Sequence, residues 1–516
     1  MGSGFRRIAV AVGLGTMTFA AVAAVETPLR PAVDFRSPAI VPAPRALAYD
    51  AQVPVRLTEG FPVKIVCPEA AVGNWVAAQF KAWFGVTPKI VTDARIAAEV
   101  PTIEGAYQLV AKPGAIEIAA RGTQGVKYAL YTLRQAAERE SRGSKLVGYW
   151  LPALTINDAP ELGFRGLHLC WMPELSAAFI EHQLRLAAYY KFNVVVLESW
   201  GVFKSERHPE LSIANAPLTV AEAGRLSKLA KELGVLLVPQ INVFGHAAMA
   251  RSCGGKHITL DVHPEMQPLF EPAGGWNWCL SNPAAREVLL DFLDEVHAAF
   301  GRPQFFHVGC DEADPPTCPT CRAVRPYAKL VSEHLRAVHD FLRARGARML
   351  MWHDMLLEKG DARWQGFYAN GSQEEAAMLE TLPKDVVICD WYYGPPLADP
   401  AGKVAFPTLD HFRNAGFDTL TCPWRDQQGI RAQGRYARER GMFGMLETVW
   451  HHFRGQEFAD MMMVAAQTAW GEGEFERTVW TTPFAVHWRQ VGWDMGLVDP
   501  REHGYYTKQV TREIYD

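Results

Sequence analysis

The sequence predicts an α/β protein in which a (β/α)8 TIM barrel follows a small α+β domain. With 516 residues, the chain is long enough for one large barrel and a smaller partner. Short apolar runs alternate with amphipathic stretches through the second part of the chain, which is typical of parallel strands connected by helices. An open, doubly wound sheet is the structural alternative. It is disfavoured because no glycine-rich phosphate-binding turn follows any of the runs.

Eight strands and their connecting helices are predicted in this second part. Thr219 and Glu222 form a capping-box pattern, and Gly234 stands where a C-terminal cap belongs. Asn282 before Pro283 is a second helix-start signal. The predicted strands are Gly166–Cys170, Asn193–Glu198, Val235–Asn242, Gln304–Val308, Arg348–Trp352, Val386–Trp391, Thr419–Thr421 and Phe443–Glu447.

The first 150 residues divide into a targeting segment and a small domain. An apolar run follows Arg6 and Arg7 and ends in small residues at Ala24, which is the pattern of a signal peptide over residues 1–24. We therefore expect an exported protein, periplasmic or extracellular, with an uncleaved anchor as the alternative. Residues 25–150 should form the α+β domain after a proline-rich lead-in. The segment 148–163 is interpreted as the crossing to the barrel, so residues 151–516 hold the barrel and a C-terminal extension.

The composition argues against several kinds of partner. The formal net charge is −4, and no run of Lys and Arg is present to bind nucleic acid. No membrane span is expected after cleavage of the signal peptide, and no cofactor is expected. Nine cysteines is an odd number, and the only close pair is Cys318 and Cys321. This CxxC predicts a small disulfide loop or half of a metal site. Because no second CxxC completes a four-cysteine site, no metal is expected.

The segment from Phe305 to Glu312 is the most informative part of the chain. An apolar run ends at Gly309 and is followed by the adjacent carboxylates Asp311 and Glu312. Ligands and chemistry collect at the carboxyl ends of parallel strands. Two neighbouring buried carboxylates raise each other's proton affinity, which suits general acid catalysis near neutral pH. The structural alternative is a helix N-cap followed by an acidic first turn.

Other strand ends add an arginine, carboxylates, a histidine and aromatic side chains to the same predicted opening. Phosphate chemistry would need glycine-rich or lysine-rich loops, a serine nucleophile would need GxSxG, and a zinc hydrolase would need HExxH. None of these motifs occurs. Carboxylates, aromatics and an arginine together are typical of a sugar-hydrolysing pocket. The candidates are Arg165, Glu198, His246, Asp311, Glu312, Trp352, Asp354, Trp391, Tyr393 and Trp450.

These segments resemble a known family. His307–Glu312 resembles the His-x-Gly-x-Asp-Glu signature of glycoside hydrolase family 20, the β-N-acetylhexosaminidases. Phe164–Gly166, Val238–His246 and Met351–Met355 resemble its first-, third- and fifth-strand motifs, in the family's order. Residues 114–135 resemble the end of the α+β domain that precedes the barrel in this family. Details of the third- and fourth-strand motifs are more similar to the hexosaminidase-D-type branch than to the chitobiase-type enzymes.

The resemblance implies an exo-acting, retaining hydrolase in which the substrate's own 2-acetamido group is the nucleophile. Glu312 would be the general acid and base, and Asp311 would orient the acetamido group and stabilise an oxazolinium intermediate. Arg165 would bind the hydroxyls of the terminal sugar, and Tyr393 would donate a hydrogen bond to the acetamido oxygen. Trp352, Trp391 and Trp450 would form the wall of the acetamido pocket, and Asp354 would follow the fifth-strand tryptophan.

Some positions depart from the family pattern. The acid that usually supports the third-strand histidine, here His246, is missing or is supplied by Glu198. His451 and His452 replace an acid expected after Trp450, so the recognition of the outer hydroxyls is open. These departures suggest a second function, a carbohydrate-binding protein on a barrel that has lost catalysis. A metal-dependent hydrolase using the CxxC is a more distant possibility.

Overall fold

A computed structural model describes most of the chain after residue 39. The predicted signal peptide, residues 1–24, and the pair His451 and His452 lie outside the described residues. The described ranges are 40–142, 145–173, 175–199, 201–213, 215–248, 259–399, 402–450, 455–472 and 477–496.

In the part of the chain that the structure describes, the small domain is a seven-stranded sheet with two helices. Its strands follow the order β1-β7-β4-β5-β2-β3, and β6 pairs with β7. The prediction that residues 148–163 cross between the domains is wrong for the first part of this segment. Strand β7 continues to Asp158 and pairs with β1 and β4 along its length. The elements are β1 (Ala46–Leu57), β2 (Pro62–Val66), α1 (Val72–Phe84), β3 (Lys89–Asp93), β4 (Tyr107–Lys112), β5 (Ala115–Ala120), α2 (Thr123–Ala136), β6 (Glu138–Arg142) and β7 (Lys145–Asp158).

The predicted TIM barrel is confirmed. Eight parallel strands close in the order β12-β13-β14-β15-β16-β17-β8-β9, and each lies within two residues of a predicted strand. Two further short strands, β10 and β11, pair with each other outside the barrel. The strands are β8 (Phe164–Trp171), β9 (Val194–Ser199), β10 (Phe203–Lys204), β11 (Leu218–Thr219), β12 (Leu236–Gln240), β13 (Phe305–His307), β14 (Arg348–Trp352), β15 (Val387–Trp391), β16 (Asp418–Cys422) and β17 (Gly444–Thr448).

Helices alternate with the barrel strands, as expected for this fold. The Thr219 hydroxyl accepts a hydrogen bond from the Glu222 amide at 3.1 Å, and Gly234 ends the helix with φ of 85°, so the predicted N-terminal and C-terminal caps are confirmed. The reciprocal half of the predicted capping box is not formed, because the Glu222 carboxylate pairs with Arg225 and the Thr219 amide donates to the Pro217 carbonyl oxygen. Within the described ranges, no helix is long and apolar enough to cross a bilayer. The helices are α3 (Ala177–Tyr189), α4 (Val220–Leu233), α5 (Thr259–Val262), α6 (Pro283–Ala299), α7 (Pro319–Ala323), α8 (Ala328–Arg343), α9 (Gln373–Ala376), α10 (Pro407–Asn414), α11 (Gln427–Arg440), α12 (Gly455–Trp470) and α13 (Arg477–Asp494).

A buried ion pair joins the two domains beneath the barrel. Lys191 Nζ, just before β9, lies 3.0 Å from Oδ2 of Asp158, the last residue of β7, and both side chains are fully buried. The Tyr107 hydroxyl donates to the same oxygen at 2.8 Å, and Trp470 Nε1 donates to the other oxygen at 2.8 Å. Burial lowers the pKa of Lys191, and the Asp158 carboxylate opposes this effect. The buried ammonium of the barrel and the buried carboxylate of the small domain therefore neutralise each other across the domain boundary.

Candidate active site

Asp311 and Glu312 lie at the carboxyl end of β13, as predicted. Asp311 is buried, with 6% of its surface exposed, whereas 45% of the Glu312 side chain is exposed. His246 Nε2, in the loop after β12, lies 3.3 Å from Asp311 Oδ2 and 3.4 Å from Glu312 Oε2. The fold therefore brings two carboxylates and one imidazole together, with one carboxylate open to the cleft and the other beneath it.

The backbone at this opening adopts unusual conformations. Cys310 has φ of 80°, Glu312 49°, His246 56° and Trp450 50°, all in the left-handed region that non-glycine residues rarely occupy. Each such residue costs on the order of 1–3 kcal/mol and is retained where the surroundings over-determine it, commonly in active sites. These backbone conformations set the directions of the four side chains at the carboxyl ends of the strands.

Two glycines allow the loops after β12 and β13 to approach each other. A Cβ at Gly245 would overlap the Asp311 carbonyl oxygen. Gly309 has φ of +65°, and a Cβ there would overlap the Asn242 amide, with the Asn242 Cγ only 2.8 Å away. Glycine is needed at both positions because any side chain would push the loop that carries Asp311 and Glu312 away from the loop after β12.

We expect Gly309→Ala to destabilise the protein more than a positive φ alone would. The left-handed backbone costs about 1–3 kcal/mol, and the overlap with Asn242 adds about 1–3 kcal/mol. Gly60→Ala is the matched control, because Gly60 has φ of +74° and nothing within 4 Å of the added Cβ. Urea unfolding of both variants measures the difference. Equal losses of stability would contradict the proposed close packing.

Asp354 is fully buried behind the loop that carries Asp311 and Glu312 rather than exposed to the cleft. Its Oδ2 accepts hydrogen bonds from the Glu312 amide at 2.9 Å and from Asn370 Nδ2 at 2.8 Å. Its Oδ1 accepts a hydrogen bond from Trp391 Nε1 at 3.2 Å. Burial, and next the Asp311 carboxylate, raise the pKa of Asp354 to about 7. Asp354 therefore supports the backbone of Glu312 and the ring of Trp391.

The raised pKa of Asp354 predicts a pH-dependent stability. The folded protein keeps this proton up to about pH 7, whereas the ordinary pKa of an aspartate side chain is 3.8. Folding therefore takes up a proton between these values, and the contribution of this group to stability falls as the pH rises. The free energy of unfolding of the wild type, relative to Asp354→Asn, should fall by up to about 4 kcal/mol across this window. Urea titrations from about pH 4 to pH 8 test this, and a constant difference would contradict it.

Aromatic side chains form one wall of the cleft. Trp391 stacks on Tyr368 with ring centroids 4.0 Å apart and on Tyr393 at 5.1 Å. Trp450 Nε1 donates to the Tyr393 hydroxyl at 2.9 Å. The neighbouring Tyr392 is buried and donates to a backbone carbonyl instead, so Tyr393 is the one that joins the wall. Tyr368 was not anticipated, because it lies in the long loop after β14, where no periodic pattern identifies an inward side chain.

Trp352 and Glu198 lie inside the barrel, beneath the cleft. Trp352 is fully buried and packs on His307 at 4.4 Å and on Trp450 at 5.5 Å. Glu198 accepts a hydrogen bond from Asn242 Nδ2 at 2.9 Å and lies 3.4 Å from His168 Nε2. Glu198, Asn242 and His168 therefore form a polar layer beneath the carboxyl ends of the strands. His168 was missed, because it lies among apolar residues of the first strand, beyond the Phe164–Gly166 motif.

Arg165 is not at the opening, and its predicted position is wrong. It lies near the amino end of β8 and is 3% exposed. Its guanidinium donates to the carbonyl oxygens of Leu162 at 2.7 Å and Lys191 at 3.1 Å, and to the Tyr128 hydroxyl at 2.6 Å. The amino and carboxyl ends of barrel strands are at opposite faces. Arg165 therefore joins the small domain to the bottom of the barrel and is not available to a sugar in the cleft.

Two further residues belong to the opening and were not predicted. Trp424, after β16, packs edge-on against Tyr393 with centroids 5.0 Å apart. The exposed Arg425 follows it and lies over the Trp424 ring at 3.7 Å. Arg425 supplies a cation at the carboxyl face, which is where the sequence had suggested an arginine.

A closed parallel barrel with this opening defines a class of protein. An exposed carboxyl group beside a buried one can deliver a proton to a bound oxygen and take it back from water. A wall of stacked aromatic rings suits the apolar faces of a sugar and excludes water. These features define a TIM-barrel protein of the glycoside hydrolase class.

The family follows from sequence comparison. The profile described as glycosyl hydrolase family 20, domain 2, matches residues 37–159, and the profile for the catalytic domain of the same family matches residues 178–395. The chain belongs to glycoside hydrolase family 20. This assignment confirms the resemblance drawn from the His307–Glu312 segment, although nothing in the comparisons distinguishes the branches of the family.

Relatives and solved structures agree with this assignment. A β-N-acetylhexosaminidase of Cellulomonas fimi is 27% identical over 52% of this chain and 54% of its own length. A β-hexosaminidase of Vibrio furnissii is 23% identical over 70% of this chain and 61% of its own length, so this chain spans only part of these relatives. The Flavobacterium johnsoniae chitobiase structure superposes with a TM-score of 0.64 at 18% identity, covering 90% of this chain and 74% of that one. At this identity the superposition shows a shared fold.

Proposed function

We propose that the protein is an exo-acting, retaining β-N-acetylhexosaminidase that releases terminal β-linked N-acetylglucosamine or N-acetylgalactosamine. The observation that carries this proposal is the pairing of an exposed Glu312 with a buried Asp311 under an aromatic wall. Names of the relatives, β-N-acetylhexosaminidase and β-hexosaminidase, support the same class of substrate. Export from the cell is part of the proposal and rests on the pattern of residues 1–24.

In the first step, Glu312 protonates the glycosidic oxygen while the substrate's acetamido oxygen attacks the anomeric carbon. The bond to the leaving group breaks, and a cyclic oxazolinium forms with its positive charge next to Asp311. Asp311 accepts a hydrogen bond from the acetamido N–H and stabilises that positive charge. Its attraction to the charge is strong because the carboxylate is largely removed from water. His246, within 3.4 Å of both carboxylates, positions them relative to each other.

In the second step, the Glu312 carboxylate takes a proton from water, and the hydroxide attacks the anomeric carbon. The ring of the oxazolinium opens, and the sugar leaves with its original β configuration. No covalent bond to the protein forms in either step. Glu312 ends protonated and ready for the next substrate.

Tyr393 is suited to hold the acetamido oxygen. Its hydroxyl already accepts a hydrogen bond from Trp450 Nε1 at 2.9 Å, so its own proton can be donated to the substrate. Trp391, fixed from behind by Asp354, forms the wall for the acetamido methyl group. Since Arg165 is at the other face, Arg425 is our candidate for the outer hydroxyls.

Hydrolysis of aryl N-acetyl-β-glucosaminide and N-acetyl-β-galactosaminide tests the proposal. We expect turnover of at least one of them, and little turnover of the matching glucoside, which has no acetamido nucleophile. Binding of N-acetylglucosamine without any turnover would overturn the proposal in favour of a carbohydrate-binding protein. Equal hydrolysis of the N-acetyl-β-glucosaminide and the matching glucoside would overturn the acetamido mechanism but not the assignment as a hydrolase.

A further inference from the structure

A cluster of three cysteines and one glutamate lies next to the active-site loop. Cys318 precedes α7 and Cys321 lies within it, while Cys279 comes from the loop before α6. The Cys279 Sγ is 3.8 Å from the Cys318 Sγ and 3.8 Å from the Cys321 Sγ. With Glu271, these residues offer four ligand atoms that all lie within 4.8 Å of one another.

The spacing of the sulfur atoms matches a tetrahedral metal site. A zinc–sulfur bond of about 2.3 Å places two thiolates on one ion about 3.8 Å apart. A disulfide would require sulfur atoms about 2.05 Å apart, and all three of these cysteines are free thiols in the structure. Cys321 and Cys279 are 0% and 6% exposed, so the cluster is closed to solvent on most sides.

Glu271 is oriented toward the three thiols by the loop that carries them. It is 4% exposed, and its Oε2 accepts hydrogen bonds from the amides of Thr317 at 2.8 Å and Cys318 at 2.5 Å. Its Oε1 is buried, and the Cys321 thiol is in hydrogen-bonding contact with the carboxylate. A thiol is only a weak donor to a buried carboxylate, and a bound cation would stabilise that negative charge more strongly.

We propose that Cys279, Cys318, Cys321 and Glu271 bind one zinc ion. Three thiolates and one carboxylate in tetrahedral arrangement favour zinc over magnesium or calcium, which prefer oxygen ligands. All four positions are occupied by protein, so the site is structural rather than catalytic. The CxxC alone is half of this site. Cys279 and Glu271 lie 39 and 47 residues before Cys318 in the chain, and only the fold brings them close.

The site joins the two loops that hold the general acid. Trp276, between Glu271 and Cys279, donates from Nε1 to the Glu312 carbonyl oxygen at 2.7 Å and packs on His246 at 4.2 Å. Asn277 Nδ2 donates to the Asp314 carbonyl oxygen at 2.7 Å, and the Asp314 amide donates back at 3.2 Å. Zinc would therefore hold the left-handed segment at Glu312 in place from outside the cleft.

The metal content of full-length protein, purified without chelators or a metal-affinity column, tests the proposal directly. We expect about one zinc ion per chain, as for a closed four-ligand site. Cys279→Ser and Cys318→Ser should lose most of it. Cys67→Ser is the matched control, since Cys67 is also buried but lies in the small domain, and it should keep its zinc.

Cobalt exchange and thiol counting provide readouts that do not depend on activity or on the folding of a variant. Wild-type protein refilled with Co²⁺ should show thiolate charge-transfer bands and intense visible bands of tetrahedral cobalt. Wild-type protein without zinc, a disulfide between any two of the three cysteines, or zinc retained in Cys279→Ser would each overturn the proposal. Activity on N-acetylhexosaminides is measured separately, so failure of the zinc site and failure of the proposed function are distinguishable.

Discussion

Glu312→Gln is expected to reduce kcat/KM on an aryl N-acetyl-β-hexosaminide with a poor leaving group by about 10²- to 10⁴-fold, the usual contribution of a general acid. The amide cannot protonate the glycosidic oxygen, although it keeps the shape and the exposed position of the carboxyl group. An activated aryl substrate needs no protonation of its leaving group. The first step on this activated substrate should therefore be slowed far less. The measurement is the loss of kcat/KM on the poor substrate divided by the loss on the activated one.

The exposed Glu59 in the small domain offers a control for this substitution. Glu59→Gln removes a carboxylate far from the barrel opening and should leave kcat/KM on both substrates unchanged. An equal loss on good and poor leaving groups in Glu312→Gln would contradict the role of Glu312 as a general acid.

Asp311→Asn is expected to reduce kcat by about 10²- to 10³-fold, which is typical of losing one preorganised electrostatic contact to a charged intermediate. Substrate binding should change less, because the positive charge that Asp311 stabilises develops only after the bond to the leaving group begins to break. Steady-state kinetics on the same aryl substrates separate the two effects.

Added azide distinguishes the role of Asp311 further. If the acetamido group is the nucleophile, azide opens the oxazolinium from the β face, and the glycosyl azide formed by Asp311→Ala keeps the β configuration. If Asp311 were itself a covalent nucleophile, azide would attack the intact substrate in this variant and give the α product. Proton NMR of the isolated azide measures the configuration, and an α product would contradict the proposed mechanism.

The barrel could be predicted from sequence because its strands are nearly continuous apolar runs between turn residues. Arg348–Trp352, for example, has the same bounds in the prediction and in the structure. The last strand of the small domain was missed because prolines and sparse apolar periodicity hid β7 (Lys145–Asp158). Its pairing with three other strands, which is not visible in the sequence, stabilises it.

The site was predictable where a side chain directly follows a strand, as with Asp311, Glu312 and Tyr393. Arg165 was misplaced because the resemblance in its motif outweighed its position at the amino end of a strand, about 17–20 Å from the other end. Tyr368 and Trp276 lie in long loops, where no period relates sequence position to direction. Asp354 was predicted as a site residue. Its burial was not predicted, because the residues that cover it are distant in sequence and come together only in the fold.

The ion pair between Lys191 and Asp158 has a consequence for any shortened version of this protein. A truncation that begins at residue 160 would retain every barrel strand and every candidate catalytic residue. It would also leave the Lys191 ammonium without its carboxylate, a loss of about 3–5 kcal/mol from a total stability that is usually only about 5–15 kcal/mol. The isolated barrel is therefore expected to be insoluble or unfolded, and the small domain is part of the minimal folding unit.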